Sequence, residues 1–194
     1  MTQVAIIDYG AGNVQSVKFA FERLGIKTVV TSNSLEIQSA SHVIFPGVGH
    51  AKAAKSHLIE TGLIDFIKTL NQPVLGICLG MQLFCNQTEE GTTTGLQIFD
   101  TDVLKFDVEL KVPAVGWAPV KSKDHPLFEN LDNEQFYFVH SYYAQVSDQT
   151  IGLADYQIPY SAALANRNFL GVQFHPERSG EAGEQLLTNF LKLS

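Results

Sequence analysis

The chain has 194 residues, 45% hydrophobic and 17% charged, which suits one globular domain with a buried core rather than a disordered segment. Its net charge is −7 and it has no basic run, so no nucleic-acid partner is expected. No apolar stretch reaches membrane-spanning length, and Met1 to Asp8 lacks the basic start and long apolar middle of a signal peptide, so neither a membrane nor export is expected.

In chain order, Val4 to Asp8 predicts a strand, and Asn13 to Leu24 a helix with apolar residues at Val14, Val17, Ala20 and Leu24, ended by Gly25. Ile26 to Thr31 predicts a second strand. His42 to Phe45 predicts a third, stopped by Pro46-Gly47. Helical patterns over Ala51 to Glu60 and Leu63 to Leu70 lead to a fourth strand, Pro73 to Ile77. Strand and helix alternating in this way implies a parallel sheet covered on both faces, with ligands at the carboxyl ends of the strands. The second half reads as short strands at Leu96–Ile98, Val103–Phe106, Phe136–Val139, Ile151–Ala154, Ser161–Ala165 and Phe169–Gln173, then a helix over Gly183–Leu193. The predicted fold is α/β: a mostly parallel central sheet flanked by helices, with antiparallel strands added in the C-terminal half. With no repeat or linker in view, residues 1–194 read as a single domain.

Gly76-Ile77-Cys78-Leu79-Gly80 places a cysteine at the turn from the fourth strand into a helix. The glycines relieve crowding at a strained elbow, as in the G-x-S-x-G turn of serine hydrolases. A helix start favours thiolate over thiol, and its free amides can hold an oxyanion. Packing alone is the other reading of such a cysteine. Phe174-His175-Pro176-Glu177 follows a predicted strand, so His175 can face the same sheet edge as Cys78, with Glu177 on its second ring nitrogen or, alternatively, capping the next turn. Phe45-Pro46-Gly47-Val48-Gly49 can form an oxyanion loop, the amides of Val48 and Leu79 being the two donors, or an ordinary turn. Asp8-Tyr9-Gly10-Ala11-Gly12-Asn13 lacks the dinucleotide-binding pattern and reads as a tight turn and helix start. His42, His57, His125 and His50 read as structural or solvated. Cys85 stands roughly 10 Å from Cys78 on the predicted helix, too far for a disulfide, and reads as packing. No zinc-type spacing occurs, so no metal or cofactor is expected, and the unpaired cysteines fit a reducing cytoplasm.

Together these motifs resemble the class I glutamine amidotransferases, whose fold is flavodoxin-like. More narrowly they resemble the glutaminase subunits of imidazole glycerol phosphate synthases. The resemblance runs nearly end to end. It is carried by Ile7 to Asn13, Pro46-Gly47-Val48-Gly49, Gly76 to Gln82, Glu89-Glu90-Gly91 and His175-Pro176-Glu177-Arg178-Ser179. It implies that Cys78 attacks the side-chain amide of glutamine, that His175 moves protons and Glu177 orients it, and that water cleaves a glutamyl thioester. It implies glutamine contacts at Gly49, Gln82 and His140-Ser141-Tyr142. It also implies a heterodimer with a (β/α)₈ synthase subunit, which receives the ammonia and makes imidazole glycerol phosphate and an aminoimidazole carboxamide ribotide in histidine biosynthesis. A dry path would keep that ammonia from protonation. A peptide flip in the Pro46–Gly49 loop is the implied switch by which the partner activates the site. Trp117, Tyr137 and Arg178 match the partner face, although each also has an ordinary reading as core aromatic or surface charge.

One segment departs from the family pattern: Pro113-Ala114-Val115-Gly116-Trp117-Ala118 stands where the family reads Pro-His-Met-Gly-Trp-Asn. A paralogous glutaminase serving a sugar-amidating synthase shares the same triad. A cysteine hydrolase or peptidase on a similar sheet, and a non-catalytic binding subunit, are further alternatives. Gln82 and His140-Ser141-Tyr142 speak against the hydrolase, and the intact Cys, His and Glu against the binding subunit.

Overall fold

Strands β1 (Gln3–Ile7), β2 (Lys27–Thr31), β3 (His42–Gly47) and β4 (Val74–Cys78) pair in parallel in the order β2-β1-β3-β4. The computed structural model describes residues 3–10 and 12–194. Met1, Thr2 and Ala11, the last within the predicted glycine turn, lie outside the described residues. Helices α1 (Val14–Arg23), α2 (Ser34–Ser39), α3 (Ala51–Glu60), α4 (Leu63–Ile67) and α5 (Leu79–Phe84) accompany these strands. Because a strand sends alternate side chains to opposite faces, Val4, Ile6, Ile44, Leu75 and Ile77 pack with Val17 and Phe21 of α1. Ala5, Ile7, Val43, Phe45 and Val74 pack with α3, α4 and α5 on the other face. Burial on both faces is why β1, β3 and β4 read as apolar runs, whereas β2 lies at the sheet edge and is only partly buried.

The second half adds β5 (Gln87–Thr88), β6 (Thr93–Thr94), β7 (Val103–Lys105), β8 (Ala114–Ser122), β9 (Glu134–His140), β10 (Tyr142–Ala144), β11 (Thr150–Asp155), β12 (Pro159–Asn166) and β13 (Phe169–Val172). β13, expected among the antiparallel additions, instead runs parallel to β4 and completes a five-stranded parallel core, because its four buried residues fit between β4 and β12, and β12 then begins the antiparallel extension. β8 and β9 form an antiparallel ribbon joined through β11. α6 (Gly180–Leu191) closes over the α1 face with Leu186, Leu187 and Phe190.

Several predicted boundaries move. Pro46 and Gly47 continue β3 opposite Ile77 and Cys78 instead of stopping it, and the Pro46 carbonyl takes a phenol hydrogen bond from Tyr9. Leu96–Ile98 forms no strand. The amides of Leu96, Ile98 and Phe99 turn to the carbonyls of Leu83 and Phe84, at 2.7, 2.8 and 2.9 Å, and so satisfy the C-terminal end of α5. α4 stops at Ile67, short of Leu70. β8 and α2 were not predicted. β8 is interrupted in sequence by Gly116 and Pro119, residues that weaken a strand pattern, and one of its faces is exposed. Cys85 caps the short α5 rather than riding within it, and is fully buried with Sγ 3.6 Å from the Met81 carbonyl. Burial pushes its thiol well up, so packing describes it.

Candidate active site

Cys78 closes β4 and precedes α5 with φ +54° and ψ −111°, a backbone conformation that side-chain-bearing residues rarely adopt. Close packing holds it there. A Cβ on Gly80 would run into the Phe45 carbonyl, and one on Gly47 into the backbone of Leu79 and Gly80. The end of β3 and the elbow therefore touch backbone to backbone, with Gly47 in register with Cys78. That contact carries Val48 and Gly49 to the cavity that Cys78 and Leu79 line. Behind the loop, Tyr9 is buried, stacks on Phe45 at 5.1 Å and donates its phenol hydrogen to the Pro46 carbonyl at 2.8 Å. Burial, then the nearby Cys78 charge, pushes that phenol well up, so it stays a donor.

The parallel register of β13 with β4 sets Val172 beside Ile77, so the residues after β13 fall next to the elbow. His175 Nδ1 lies 2.9 Å from Glu177 Oε1, and the two side chains are only 5% and 2% exposed, too little for water to replace that partner. Nε2, the remaining nitrogen, is buried without a hydrogen-bond partner. Burial works against the imidazolium, but Cys78 and Glu177 beside the ring outweigh it and push the pKa up, which favours movement of the thiol proton to the ring. The turn itself is tied down: His175 N donates to the Tyr137 carbonyl at 2.9 Å, and the Ser179 hydroxyl to the His175 carbonyl at 2.7 Å. A histidine so held can take a thiol proton and return it to a leaving amine.

His140 ends β9 and is buried among Phe106, Phe138 and Tyr160. Its Nδ1 is 2.8 Å from the Tyr142 carbonyl, which only accepts, so Nδ1 carries the hydrogen. Burial lowers its pKa to about 4, with the charge of His175 adding to the shift, so the ring is neutral near pH 7.

The cavity in front of Cys78 measures about 340 Å³, the lower end of the range for small-molecule sites. Of the sequence-predicted residues, Cys78, His175 and Glu177 line it, as do Val48, Leu79 and Gly49. Gln82, His140, Ser141 and Tyr142 line it too. Gln82 spends its amide nitrogen inside the protein, on the Tyr142 carbonyl at 2.9 Å and Gln173 Oε1 at 2.8 Å. Asn13 and Glu90 also line the cavity, and the Glu90 carboxylate accepts from Ala51 N at 2.7 Å at the start of α3. The Glu89-Glu90-Gly91 sequence was the only signal for that carboxylate. Among the described residues no group of three or more His, Cys, Asp or Glu side chains could hold a metal ion. His50 and His125 cap α3 and the Pro126–Phe128 turn, His42 bonds Ser41 and the Leu193 carbonyl, and His57 faces Glu60 at the surface.

Residues 5–193 match the glutamine amidotransferase class-I family. The chain belongs to that family. Among class-I amidotransferase relatives, the imidazole glycerol phosphate synthase subunit HisH of Bacteroides fragilis is 52% identical over 195 residues, covering 98% of this chain and 100% of its own length. HisH of Pasteurella multocida is 47% identical over 195 residues, covering 99% of this chain and 98% of its own length. The fold is shared more widely. A solved glutamine amidotransferase superposes with a TM-score of 0.77 at 17% identity, covering 97% of each chain. PurLQS from Thermotoga maritima gives 0.72 at 16%, covering 98% of this chain and 97% of its own.

Trp117, Tyr137 and Arg178 come together, and Arg178 lines the cavity. Trp117 is 56% exposed, which rules out the core-aromatic reading, and meets the half-buried Tyr137 edge-on at 6.1 Å across the β8–β9 ribbon. The Arg178 guanidinium sits 4.4 Å over the Tyr137 ring. Val115, in the segment that departs from the family pattern, is 59% exposed and extends this apolar strip.

Proposed function

We infer that this chain is the glutamine-hydrolysing subunit of an imidazole glycerol phosphate synthase in histidine biosynthesis, acting as a single glutaminase domain over residues 1–194. The observation that carries the chemistry is the strained Cys78 sharing one small cavity with the buried His175–Glu177 pair. The 52% identity over nearly full length to a HisH subunit carries the pathway and speaks against a sugar-amidating paralogue.

In this reading Cys78 Sγ attacks the side-chain amide carbon of glutamine while its proton passes to His175 Nε2. The amides of Leu79 and Val48 hold the oxyanion. His175 returns the proton to the departing nitrogen, which leaves as ammonia. Water then attacks the thioester, again through His175, to give glutamate and the free thiol. Glu177 fixes the ring through Nδ1. Gly49, Gln82 and His140-Ser141-Tyr142 surround the amino-acid end of the substrate. No step needs a metal or cofactor.

The partner is a (β/α)₈ synthase subunit in a cytoplasmic heterodimer, docked over Trp117, Tyr137 and Arg178. Exposed aromatics with an arginine suit an interface anchor. The backbone link from Tyr137 to His175 gives such docking a direct route to the site. The loop from Pro46 to Gly49 supplies the switch: Gly49 has φ +93° and Val48 is 39% exposed, so a peptide flip there disturbs little packing. The test is glutamate release from glutamine by the chain alone and with the synthase and its ribonucleotide substrate, with Cys78→Ala as the blank. Low activity alone and a large rise in the mixture are expected. No rise would reject the partner, and Cys78-independent glutamate would reject the mechanism.

A further inference from the structure

Gln173 follows directly after β13, opposite the elbow, is fully buried, and does not line the cavity. A polar side chain with no access to water must find its partners inside the protein. Its partners are ordered by a single backbone group. The Tyr142 carbonyl can only accept, so the Gln82 amide nitrogen faces it at 2.9 Å. The second hydrogen of that nitrogen goes to Gln173 Oε1 at 2.8 Å, which turns the Gln173 amide nitrogen the other way. There it meets Cys78 Sγ at 3.6 Å, the one partner that Nε2 has among the described residues. The chain from Tyr142 through Gln82 and Gln173 thus delivers a donor, and not an acceptor, to the sulfur.

We propose that Gln173 is a further catalytic residue of the glutaminase reaction, its amide N–H holding Cys78 Sγ as a thiolate from the side opposite the substrate. The inference rests on Cys78 being the nucleophile. When the thiol proton passes to His175 Nε2, the sulfur gains negative charge, and a hydrogen bond to a charged acceptor is stronger than one to a neutral acceptor. The same N–H serves the second half of the reaction. When water splits the thioester, sulfur departs with the bonding electron pair before His175 returns a proton to it. The arrangement also gives Gln82 a role besides lining the pocket, since without it the Gln173 amide has no fixed direction.

The test is the pH dependence of Cys78 alkylation by iodoacetamide, scored by peptide mass spectrometry so that buried Cys85 is counted separately. The parent is compared with Gln173→Met and Gln173→Leu, both of which remove the donor and keep bulk. The expected result is a profile displaced toward alkaline pH, with the rate at pH 7 about tenfold lower and the proteins converging at high pH. A rate reduced equally at every pH would mean a structural role and would overturn the proposal, as would an unchanged profile. Should one variant fail to fold, as judged by circular dichroism, the other decides. A parent Cys78 no more reactive than Cys85 would overturn the nucleophile reading and this inference with it. A reactive parent with an unmoved variant profile overturns the role of Gln173 alone.

Discussion

Replacing His140 with asparagine should remove a specific loss of stability in mild acid. The imidazole is buried against Phe106, Phe138 and Tyr160, donates from Nδ1 to the Tyr142 carbonyl, and has a folded-state pKa of about 4. In the unfolded chain its value is about 6.5. The folded value is the lower one, so on acidification the unfolded state takes the proton first. The stability this group contributes is therefore complete above about pH 7 and is lost as the pH falls from about 6.5 toward 4. At about 1.36 kcal/mol per pH unit, the gap amounts to about 3 kcal/mol at the acid limit and about 2 kcal/mol by pH 5. His175 is present in both proteins, so its own titration cancels in the comparison between them. Asparagine keeps an N–H where Nδ1 stood and does not titrate. Urea unfolding at pH 7.5 and pH 5 supplies the comparison. The parent should lose about 2 kcal/mol more than His140→Asn between the two conditions, whatever constant cost the smaller side chain brings at both. Equal losses in the two proteins would refute the claim that His140 is held neutral.

Three further outcomes are expected. Gly80→Ala should destabilise the chain by about 1–3 kcal/mol in urea unfolding and depress glutaminase activity, because its Cβ would run into the Phe45 carbonyl behind the elbow; an unchanged midpoint would contradict the close packing. Tyr9→Phe strips the buried Pro46 carbonyl of its phenol donor and should cost about 1–3 kcal/mol in the same assay. Trp117→Ala should leave the unfolding midpoint within about 0.5 kcal/mol of the parent, since the ring is 56% exposed, yet weaken synthase binding more than tenfold by titration calorimetry; unaltered affinity would move the docking surface elsewhere.

Periodicity and glycine placement were enough to read four of the five parallel strands, while β13 was read among the antiparallel additions. β1, β3 and β4 appear as apolar runs because both of their faces are buried, and α1 and α3 as amphipathic stretches because one face of each is buried. The Gly-Ile-Cys-Leu-Gly elbow and the His-Pro-Glu turn were legible for a similar reason: local backbone strain and strand-end position depend on neighbours in sequence. β8 was not legible, since Gly116 and Pro119 disrupt its pattern and its exposed side carries Val115 and Trp117. Leu96–Ile98 misled because an apolar run can serve a strand or wrap a helix end, and the open carbonyls of α5 decided which. Only tertiary structure brought His175 and Gln173 to Cys78, by inserting β13 beside β4 in a register that pairs Val172 with Ile77. The contact between Gln173 and Cys78 spans 95 positions along the chain. Short-range propensity carries no information about such a pairing. Its register is set by burying both faces of the strand at once, a condition that exists only when the whole sheet has assembled.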